Sequence, residues 1–492
     1  MMDRNYFLAF DLGASSGRAI LGILSNGKLE LKEIHRFVNQ MQCINGHYFW
    51  NIFSLFNELK TGLRKCVREY GIQPESIGVD TWGVDFVHLN KEGMILSLPF
   101  AYRDSRTNTS MNDLFQVVPA SEVYARTGIQ FMQFNSLFQL FSMVKDKASL
   151  LEITDSILFM PDAFNYLFTG IKKSEFSIAS TSQMIIPGTC RWDNELLEKA
   201  GIPTNILQEI IMPGTILGNL QNDIARETGS EEVPVIAVAA HDTGSAVVSV
   251  PGTGDNFVYL SSGTWSIMGI ESKSPIISEQ TRQLNFTNEG GVDGTTRFLK
   301  NIMGMWLIQE VQRIWEGEGT KYSWPEMVEL ARKTEPFRFL INPDDPMFLN
   351  PRDMTQAVRD YCYQTAQGTP QSHGETIRCI YDSLALKYRY TLEQIRLVSN
   401  QPVEVIHIIG GGANNDFLNQ LTADATGLQV IAGPTEATAI GNIMVQAKAL
   451  GYVDSVNQIR QIVAASFDLV KYSPSKELDW EASYSRYLDI VR

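Results

Sequence analysis

The segment from Asn5 to Leu24, NYFLAFDLGASSGRAILGIL, places two apolar runs on either side of a turn made of small and polar residues. Two apolar runs joined by such a short turn predict an antiparallel hairpin, and the next turn, Asn26-Gly27, is a strong signal for a type I′ hairpin. The chain is therefore expected to begin as successive antiparallel strands. The same small residues let a ligand approach the backbone closely, so the first turn is also a candidate binding site.

The order of strand, small-residue turn and strand returns about half a chain later, in DNFVYLSSGTWSIMGIES. A further stretch, VEVIHIIGGGANNDFLNQLTADATGLQVIAG, predicts a buried strand, a glycine turn, a helix and another strand. The two halves are similar in architecture and not residue by residue, which indicates a duplicated α/β domain.

At 492 residues the chain exceeds the size at which one hydrophobic core keeps growing, so two domains are expected. The Pro/Gly-rich segment 249–256, SVPGTGDN, is typical of a linker. This predicts an N-terminal domain over 1–248 and a C-terminal domain over 255–492, with a ligand-binding cleft between them.

Two further elements are predicted within the first domain. Residues 54–70 place leucines on one face of an amphipathic helix, which would begin at a Ser54 cap and stop at Gly71. The segment SIGVDTWGVDFVHLNKEG then gives two short strands around a Thr81-Trp82-Gly83 elbow.

Charge and cysteine content narrow the class of protein. A net charge of −14 disfavours nucleic acid and anionic membrane surfaces as partners, since both attract Lys/Arg-rich faces. No segment has the roughly 20 apolar residues that a membrane span needs, and no export signal is recognisable. Five scattered cysteines favour a reducing, cytoplasmic location, in which Cys362 and Cys379 are expected to be reduced thiols although they could pair. The sequence carries no signal for oligomeric state.

Three short segments are similar to known functional motifs but lack residues or context that each motif requires. Residues 22–28 fit most of a Walker A motif, but Leu29 occupies the position that needs Ser or Thr, and no helix is predicted to follow. The turn over 13–17 lacks the Rossmann glycine spacing and leads into a strand instead of a helix. The DTGS string over 242–245 resembles an aspartic protease motif, but that chemistry needs two carboxylates and the chain has no second copy.

The first turn suits a polyphosphate. Asp11 ends an apolar strand, and Gly13 to Arg18 supply small residues, hydroxyls and one guanidinium. Backbone amides and an arginine bind phosphate, and a carboxylate beside phosphates commonly holds Mg²⁺, usually through water. The alternative is a plain hairpin in which Asp11 caps the turn.

Two turns in the second half are candidate counterparts. Residues 261–264, SSGT, give a second phosphate turn if the domains are duplicated, and a plain hairpin otherwise. Residues 410–412, three glycines after a buried strand, can admit a flat nucleoside next to the backbone or merely allow a tight chain reversal.

Asp242 is the candidate catalytic group. It follows the apolar run VPVIAVAA, so it is expected at the end of a buried strand. A carboxylate there can accept the proton of a substrate hydroxyl during phosphoryl transfer. Asp242 can also be the N-cap of a helix over TGSAVVSV, and the two roles are compatible.

Seven blocks, in order along nearly the whole chain, are similar to those of the FGGY carbohydrate kinases. They are DLGASSGR (11–18), DTWGVDFV (80–87), AYRDSRT (101–107), HDT (241–243), YLSSGTWS (259–266), NIMGMW (301–306) and HIIGGGANN (407–415). The combination is far more specific than any single block.

The resemblance implies an α/β fold of two duplicated ribonuclease-H-like domains, as in actin-like ATPases, with ATP in the interdomain cleft and the sugar deeper inside. By motif, Asp242 is the expected general base and Asp11 the residue that organises Mg²⁺, through water. The expected sugar contacts are Trp82, Gly83, His241, Thr243 and Asn301. The expected ATP contacts are Ala14, Ser15, Ser16, Gly17, Arg18, Thr264, Gln309 and Gly411. Gly244, directly after HDT, is a departure at a position expected to tolerate Ala, and Gly could loosen the turn that holds Asp242 without abolishing activity.

The activity that the resemblance implies is transfer of the γ-phosphoryl group of ATP to a ketose, with L-rhamnulose as the expected acceptor. L-fuculose and L-ribulose are the alternatives, because sugar selectivity rests on a few hydroxyl contacts. An actin-like ATPase without sugar kinase activity is the alternative from another class.

Overall fold

The computed structural model describes residues 4–252, 254 and 256–491. Thr253 and Asp255, within the predicted linker, lie outside the described residues. Contacts divide the chain into two compact units, each built from three segments. Unit 1 comprises Met1–Thr253, Glu271–Leu299 and Glu436–Phe467, and unit 2 comprises Gly254–Ile270, Lys300–Thr435 and Asp468–Arg492. Two segments that follow residue 255 thus belong to unit 1, which a strand and helix pattern alone does not reveal.

The described residues form strands and helices throughout. Strands β1 to β19 are Asn5–Leu12, Ser16–Ser25, Lys28–Val38, Gln42–Ile44, His47–Phe49, Ser76–Thr81, Phe86–Leu89, Ser156–Phe159, Ser174–Glu175, Ile210–Ile211, Thr215–Asn219, Pro234–Ala237, Phe257–Ser262, Trp265–Ser272, Thr287–Gly290, Thr296–Met303, Val405–Ile409, Gln429–Ala432 and Val470–Tyr472. Helices α1 to α19 are Ile52–Arg68, Ser110–Phe115, Ala120–Thr127, Ser136–Lys145, Ser149–Glu152, Met160–Thr169, Phe176–Ser180, Asn194–Lys199, Asn222–Thr228, Asp242–Val248, Glu279–Gln283, Trp306–Gly317, Trp324–Arg332, Met354–Gln364, His373–Ser399, Asp416–Thr426, Ala437–Ala449, Val456–Ser466 and Trp480–Val491. Single 3₁₀ turns cover Ser105–Thr107, Thr204–Ile206, Val292–Gly294, Pro346–Phe348 and Gly411–Asn414.

The main sheet of unit 1 has the strand order β11-β12-β6-β1-β2-β3. Strand β1 is antiparallel to β2 and parallel to β6, and β2 is antiparallel to β3. Asn26 and Gly27, between β2 and β3, have φ values of 52° and 69°. Positive φ at both central residues is the geometry of a type I′ turn, so the predicted hairpins are confirmed. Leu29 lies in β3, where a Walker A motif would require the start of a helix.

Unit 2 repeats this pairing scheme. Strand β13 is antiparallel to β14 and parallel to β17, as β1 is to β2 and β6. Strand β18 is parallel to β17 and antiparallel to β19, as β12 is to β6 and β11. The predicted duplication of an α/β architecture is therefore present in the strand order and directions.

Helix α1 begins earlier than the sequence predicted. The helix begins at Ile52, whose side chain is fully buried, and Asn51 is its N-cap. Its side-chain oxygen accepts a hydrogen bond from the backbone N–H of Ser54 at 3.1 Å. The predicted Ser54 cap was wrong because Asn is an equally good cap and the apolar face extends one turn further back.

Helix α17 contacts strand β6 of unit 1 from a distant point in the sequence. The Nδ2 of Asn442 donates to Asp80 Oδ2 at 2.6 Å and to the carbonyl of Gly78 at 3.2 Å. One turn later, the Nε2 of Gln446 donates to Asn442 Oδ1 at 2.7 Å, and the Oε1 of Gln446 accepts from Ser76 Oγ at 2.8 Å. These amides hold strand β6 from one side, and α17 also packs on helix α10.

In the part of the chain that the structure describes, no helix is both long and apolar enough to cross a membrane. All five cysteines are free thiols, with Cys362 and Cys379 buried.

Candidate active site

Two carboxylates lie side by side at the ends of neighbouring parallel strands of unit 1. Asp11 of β1 is in register with Asp80 of β6, and both side chains are buried. Burial, followed by the charge of Asp11, raises the pKa of Asp80 well above its usual range, although the hydrogen bond from Asn442 lowers it. Asp80 Oδ1 has no hydrogen-bond partner among the described residues. The raised pKa therefore reflects two buried carboxyl groups placed side by side in this part of unit 1.

Arg18 lies opposite Asp11 across the first hairpin. Its guanidinium forms ion pairs with the carboxylates of Asp11 and Glu436. Burial lowers the pKa of Arg18, but the two carboxylate charges raise it further than burial lowers it. The structure thus shows the predicted phosphate-binding arginine already paired with two acids, and Glu436 was not anticipated from the sequence.

The turn between β1 and β2, together with the start of β2, contains the other predicted phosphate contacts, Ala14, Ser15, Ser16 and Gly17. Two carbonyls of the turn are held by one residue: the Nδ2 of Asn39 donates to Gly13 O at 2.9 Å, and the backbone N–H of Asn39 donates to Ser15 O at 3.0 Å. Ser15 is exposed at the tip of the turn. The backbone of the turn is therefore held in place by Asn39, while the side chain of Ser15 at its tip is open to solvent.

Asp242 is the first residue of α10, and His241 is its N-cap. The predicted N-cap role of Asp242 was therefore wrong by one residue. Asp242 Oδ1 accepts from the N–H of Thr243 at 2.5 Å and from its Oγ1 at 3.1 Å, and the side chain is 34 % exposed. Desolvation raises the pKa of Asp242; the neighbouring His241 lowers it and Asp11 raises it. The result is a carboxylate that takes up a proton more readily than an exposed Asp.

His241 is flanked by two carboxylates. Its Nε2 lies 3.3 Å from Asp242 Oδ1, and its Nδ1 lies 3.3 Å from Glu289 Oε2. Glu289 is buried and lies 3.2 Å from the Nη2 of Arg297, which is fully buried. Glu289 of β15 and Arg297 of β16 were missed by sequence reasoning, because both lie outside the seven motif blocks.

Gly83, another predicted sugar contact of unit 1, lies close to the same histidine. A Cβ added to Gly83 would lie 3.5 Å from His241 Nε2 and 3.3 Å from Thr181 Oγ1, so Gly83 approaches the imidazole closely. Trp82 and Thr243, its neighbours in the two motifs, are buried. The structure thus brings Gly83 to His241, with Trp82 next to Gly83 and Thr243 close to His241 along the chain. The fifth predicted contact, Asn301, lies on β16 in unit 2.

The predicted nucleotide residues of unit 2 meet at one cavity of about 620 Å³. Gly263, Gln309 and Gly411 line it, and Thr264 Oγ1 lies 3.4 Å from Gln309 Oε1. Its other wall contains Trp324, whose indole is 41 % exposed at the start of α13. Cavities of this size with aromatic and a few polar walls are typical of small-molecule sites. Trp324 was not anticipated, since it lies in an otherwise unremarkable helix.

The glycine turn of unit 2 is explained by packing. Gly410 has a φ of 81°, and a Cβ on Gly412 would lie 2.0 Å from Ser262 Oγ. The two turns that line the cavity, after β13 and after β17, can therefore touch only because glycine occupies position 412.

The acids of unit 1 fit a magnesium ion that is bound through water. Asp80 Oδ1 is a buried oxygen without a partner, beside the carboxylate of Asp11, and hard cations prefer oxygen ligands. Across residues 4–252, 254 and 256–491, no three His, Cys, Asp or Glu side chains converge closely enough to ligate a metal directly.

Comparisons with known proteins place the chain in a family. The N-terminal domain of the FGGY family of carbohydrate kinases matches residues 6–249, and the C-terminal domain of that family matches residues 258–450. Among curated relatives, a rhamnulokinase of Bacteroides thetaiotaomicron is 48% identical over 491 residues and 100% of both chains. A rhamnulokinase of Bacillus subtilis is 42% identical over 96% of both.

Solved structures agree on the fold. A ligand-bound xylulose kinase from Lactobacillus acidophilus has a TM-score of 0.82 at 14% identity, covering 99% of this chain and 97% of that one. Plasmodium falciparum glycerol kinase with ADP has a TM-score of 0.79 at 12% identity, with 99% and 97% covered. The predicted actin-like α/β fold is confirmed, and with both family domains matched in order, the chain belongs to the FGGY family of carbohydrate kinases.

Proposed function

We propose that this kinase transfers the γ-phosphoryl group of ATP to L-rhamnulose, giving ADP and L-rhamnulose 1-phosphate. The observation that carries the choice of sugar is the full-length similarity, at 42–48% identity, to relatives named rhamnulokinase. The five cysteines scattered along the chain support a reducing, cytoplasmic location for the reaction.

Asp242 is the general base of the proposed reaction. Its partly buried carboxylate accepts the proton of the sugar hydroxyl as that oxygen attacks the γ-phosphorus. Phosphoryl transfer has a loose transition state, so holding the hydroxyl in line matters more than strong activation of it. In this proposal Gly83, His241 and Thr243 hold the ketose against Asp242, Trp82 forms a wall, and Asn301 adds a contact from unit 2.

ATP is bound by both phosphate turns and by the cavity of unit 2. In this proposal Ala14, Ser15, Ser16, Gly17 and Arg18 contact the phosphates, with Thr264 in the second turn. Gln309 and Gly411 line the cavity that receives the nucleoside. Magnesium, organised through water by Asp11, would neutralise charge on the phosphates. The double pairing of Arg18 implies that phosphate must compete with Glu436 for its guanidinium.

Trp324 gives this assignment a direct test. Its exposed indole forms a flat apolar wall, and stacking of a base on an aromatic side chain contributes about 1–3 kcal/mol. We expect Trp324→Ala to raise the KM for ATP about fivefold or more while the KM for the ketose stays unchanged. Trp324→Phe should retain most of the affinity, and Tyr363→Ala, at an exposed aromatic outside the cavity, should change neither constant.

Sugar-dependent release of ADP tests the function itself. With ATP and Mg²⁺, we expect turnover to require a ketose and to be fastest with L-rhamnulose in a panel that includes L-fuculose and L-ribulose. A preference for L-fuculose or L-ribulose would change the substrate and keep the chemistry. Equal ATP hydrolysis with and without sugar would instead identify an ATPase, and the kinase proposal would be wrong.

A further inference from the structure

Asp85 is a fully buried carboxylate directly beyond the Trp82-Gly83 elbow. Its Oδ2 accepts from the indole N–H of Trp50 at 2.7 Å and from that of Trp82 at 3.0 Å. The same oxygen accepts from the backbone N–H of Tyr102 at 3.1 Å, and Oδ1 accepts from Gln139 Nε2 at 3.0 Å. One side chain therefore fixes both tryptophans, whose rings lie 4.4 Å apart between centroids.

The backbone beside Asp85 is held in an unusual conformation. Val84 has a φ of 68°, a region that β-branched residues rarely adopt. Its carbonyl accepts from Ser136 Oγ at 2.5 Å, and its N–H donates to Thr181 Oγ1 at 3.3 Å. Strained conformations of this kind persist only where the surroundings impose them, and they cluster at functional sites. The strain here sits between Gly83, a proposed sugar contact, and Asp85.

A charged residue supports Asp85 from the other side. Arg106 is largely buried, and its Nη2 donates to Gln139 Oε1 at 2.5 Å, which orients the amide N–H of Gln139 toward Asp85. Asp104 Oδ1 lies 3.9 Å from Arg106 Nε. Burial lowers the pKa of Arg106 to about 10, so it stays charged at neutral pH and faces Asp85 as a cation.

We propose that Asp85 is a positioning residue for the ketose: its carboxylate fixes the indole of Trp82 and the Gly83-Val84 turn in the geometry that binds sugar. The inference rests on the proposed function, since it takes Trp82 and Gly83 as sugar contacts. Two indole N–H groups and one carboxylate oxygen make charge-assisted hydrogen bonds, which are roughly twice as strong as neutral ones. A substitution that removes the charge of Asp85 and keeps its size should therefore weaken the hold on the Trp82 indole without leaving a cavity in the core.

A pH dependence of ketose binding follows from the burial of this carboxylate. Burial raises the pKa of Asp85 to about 6, although the hydrogen bonds from Gln139, Trp50 and Trp82 lower it. Asp85 is charged above this pKa and neutral below it. Its hydrogen bond to the Trp82 indole is therefore strongest at neutral and higher pH. The Kd for ketose should increase as the pH falls through about 6.

The test is calorimetric titration of L-rhamnulose into the full chain without nucleotide, at a series of pH values. We expect Asp85→Asn to raise the ketose Kd about tenfold or more at neutral pH, to remove its dependence on pH near 6, and to leave the Kd of ATP unchanged. Asp193→Asn is the matched control, because Asp193 is another buried carboxylate of unit 1 that caps α8 and touches neither tryptophan.

Trp82→Phe keeps the test decisive if Asp85→Asn does not fold. It retains a ring but lacks the N–H that Asp85 accepts, so it should also raise the ketose Kd and weaken its pH dependence. An unchanged ketose Kd in either folded variant, or an unchanged pH dependence in Asp85→Asn, overturns the inference. Failure of the unsubstituted protein to bind or phosphorylate any ketose in the panel overturns the proposed function itself.

Discussion

Asp242→Asn is expected to lower kcat for the sugar kinase reaction about 10²-fold or more and to leave ATP binding intact. Asparagine keeps the size of the side chain and can still accept hydrogen bonds from Thr243, so helix α10 should start as before. It cannot take up the proton of the sugar hydroxyl. The measurement is ketose-dependent ADP release together with calorimetric titration of ATP.

The pH profile distinguishes loss of a base from loss of structure. Since desolvation raises the pKa of Asp242, the ketose kcat/KM of the unsubstituted protein should fall as the pH drops through that raised pKa, above the value of about 3.9 usual for Asp. The residual activity of Asp242→Asn should lack this acid limb. Asp223→Asn, at an exposed position of α9, should behave as the unsubstituted protein. Near-normal turnover by Asp242→Asn would exclude Asp242 as the base.

The parts of the fold that the sequence predicts are those encoded by neighbouring residues. Asn26-Gly27 dictates its turn by backbone conformation alone, and the apolar runs beside it can only be strands that pair across that turn. The duplicated strand order could be predicted for the same reason, since each half contains its own strand, small-residue turn and strand. The resemblance of the motif blocks then pointed to Gly83, His241 and Asp242, which the structure brings close together.

The residues that the sequence did not reveal reach the site from remote segments. Glu436, which pairs with Arg18, and Asn442, which binds Asp80, lie more than 300 residues along the chain from their partners. Glu289 lies closer in sequence to its partner His241, 48 residues further along the chain, but on the separate strand β15. The pattern of neighbouring residues contains no information on such contacts, because they depend on the packing of the segments 271–299 and 436–467 into unit 1. Asp85 was visible in a motif, but its four hydrogen-bond donors come from four different segments.

Gly441 of helix α17 is the position at which the smallest substitution should have the largest structural effect. A Cβ at residue 441 would lie 1.8 Å from the carbonyl oxygen of Ser245 in α10, and 2.5 Å from its carbonyl carbon. These are backbone atoms, so no side-chain rotation can relieve the clash. The two helices must therefore move apart, and α10 is the helix that begins with Asp242.

Gly441→Ala should lower the melting temperature by several degrees and kcat by about 10²-fold, because overpacking costs about 1–3 kcal/mol and a shift of about 1 Å at a catalytic group can reduce the rate on this scale. A decrease in the melting temperature would be informative, since Ala in a helix is ordinarily about 1 kcal/mol more favourable than Gly. Gly317→Ala is the matched control: Gly317 ends α12 with no atom within 4 Å of an added Cβ, so the same substitution should be neutral or stabilising there. Thermal unfolding and ketose-dependent ADP release of the two variants measure both effects. A Gly441→Ala protein as stable and active as the Gly317→Ala control would contradict the close approach of α17 to α10, and with it the argument that a helix from the far end of the sequence sets the position of Asp242.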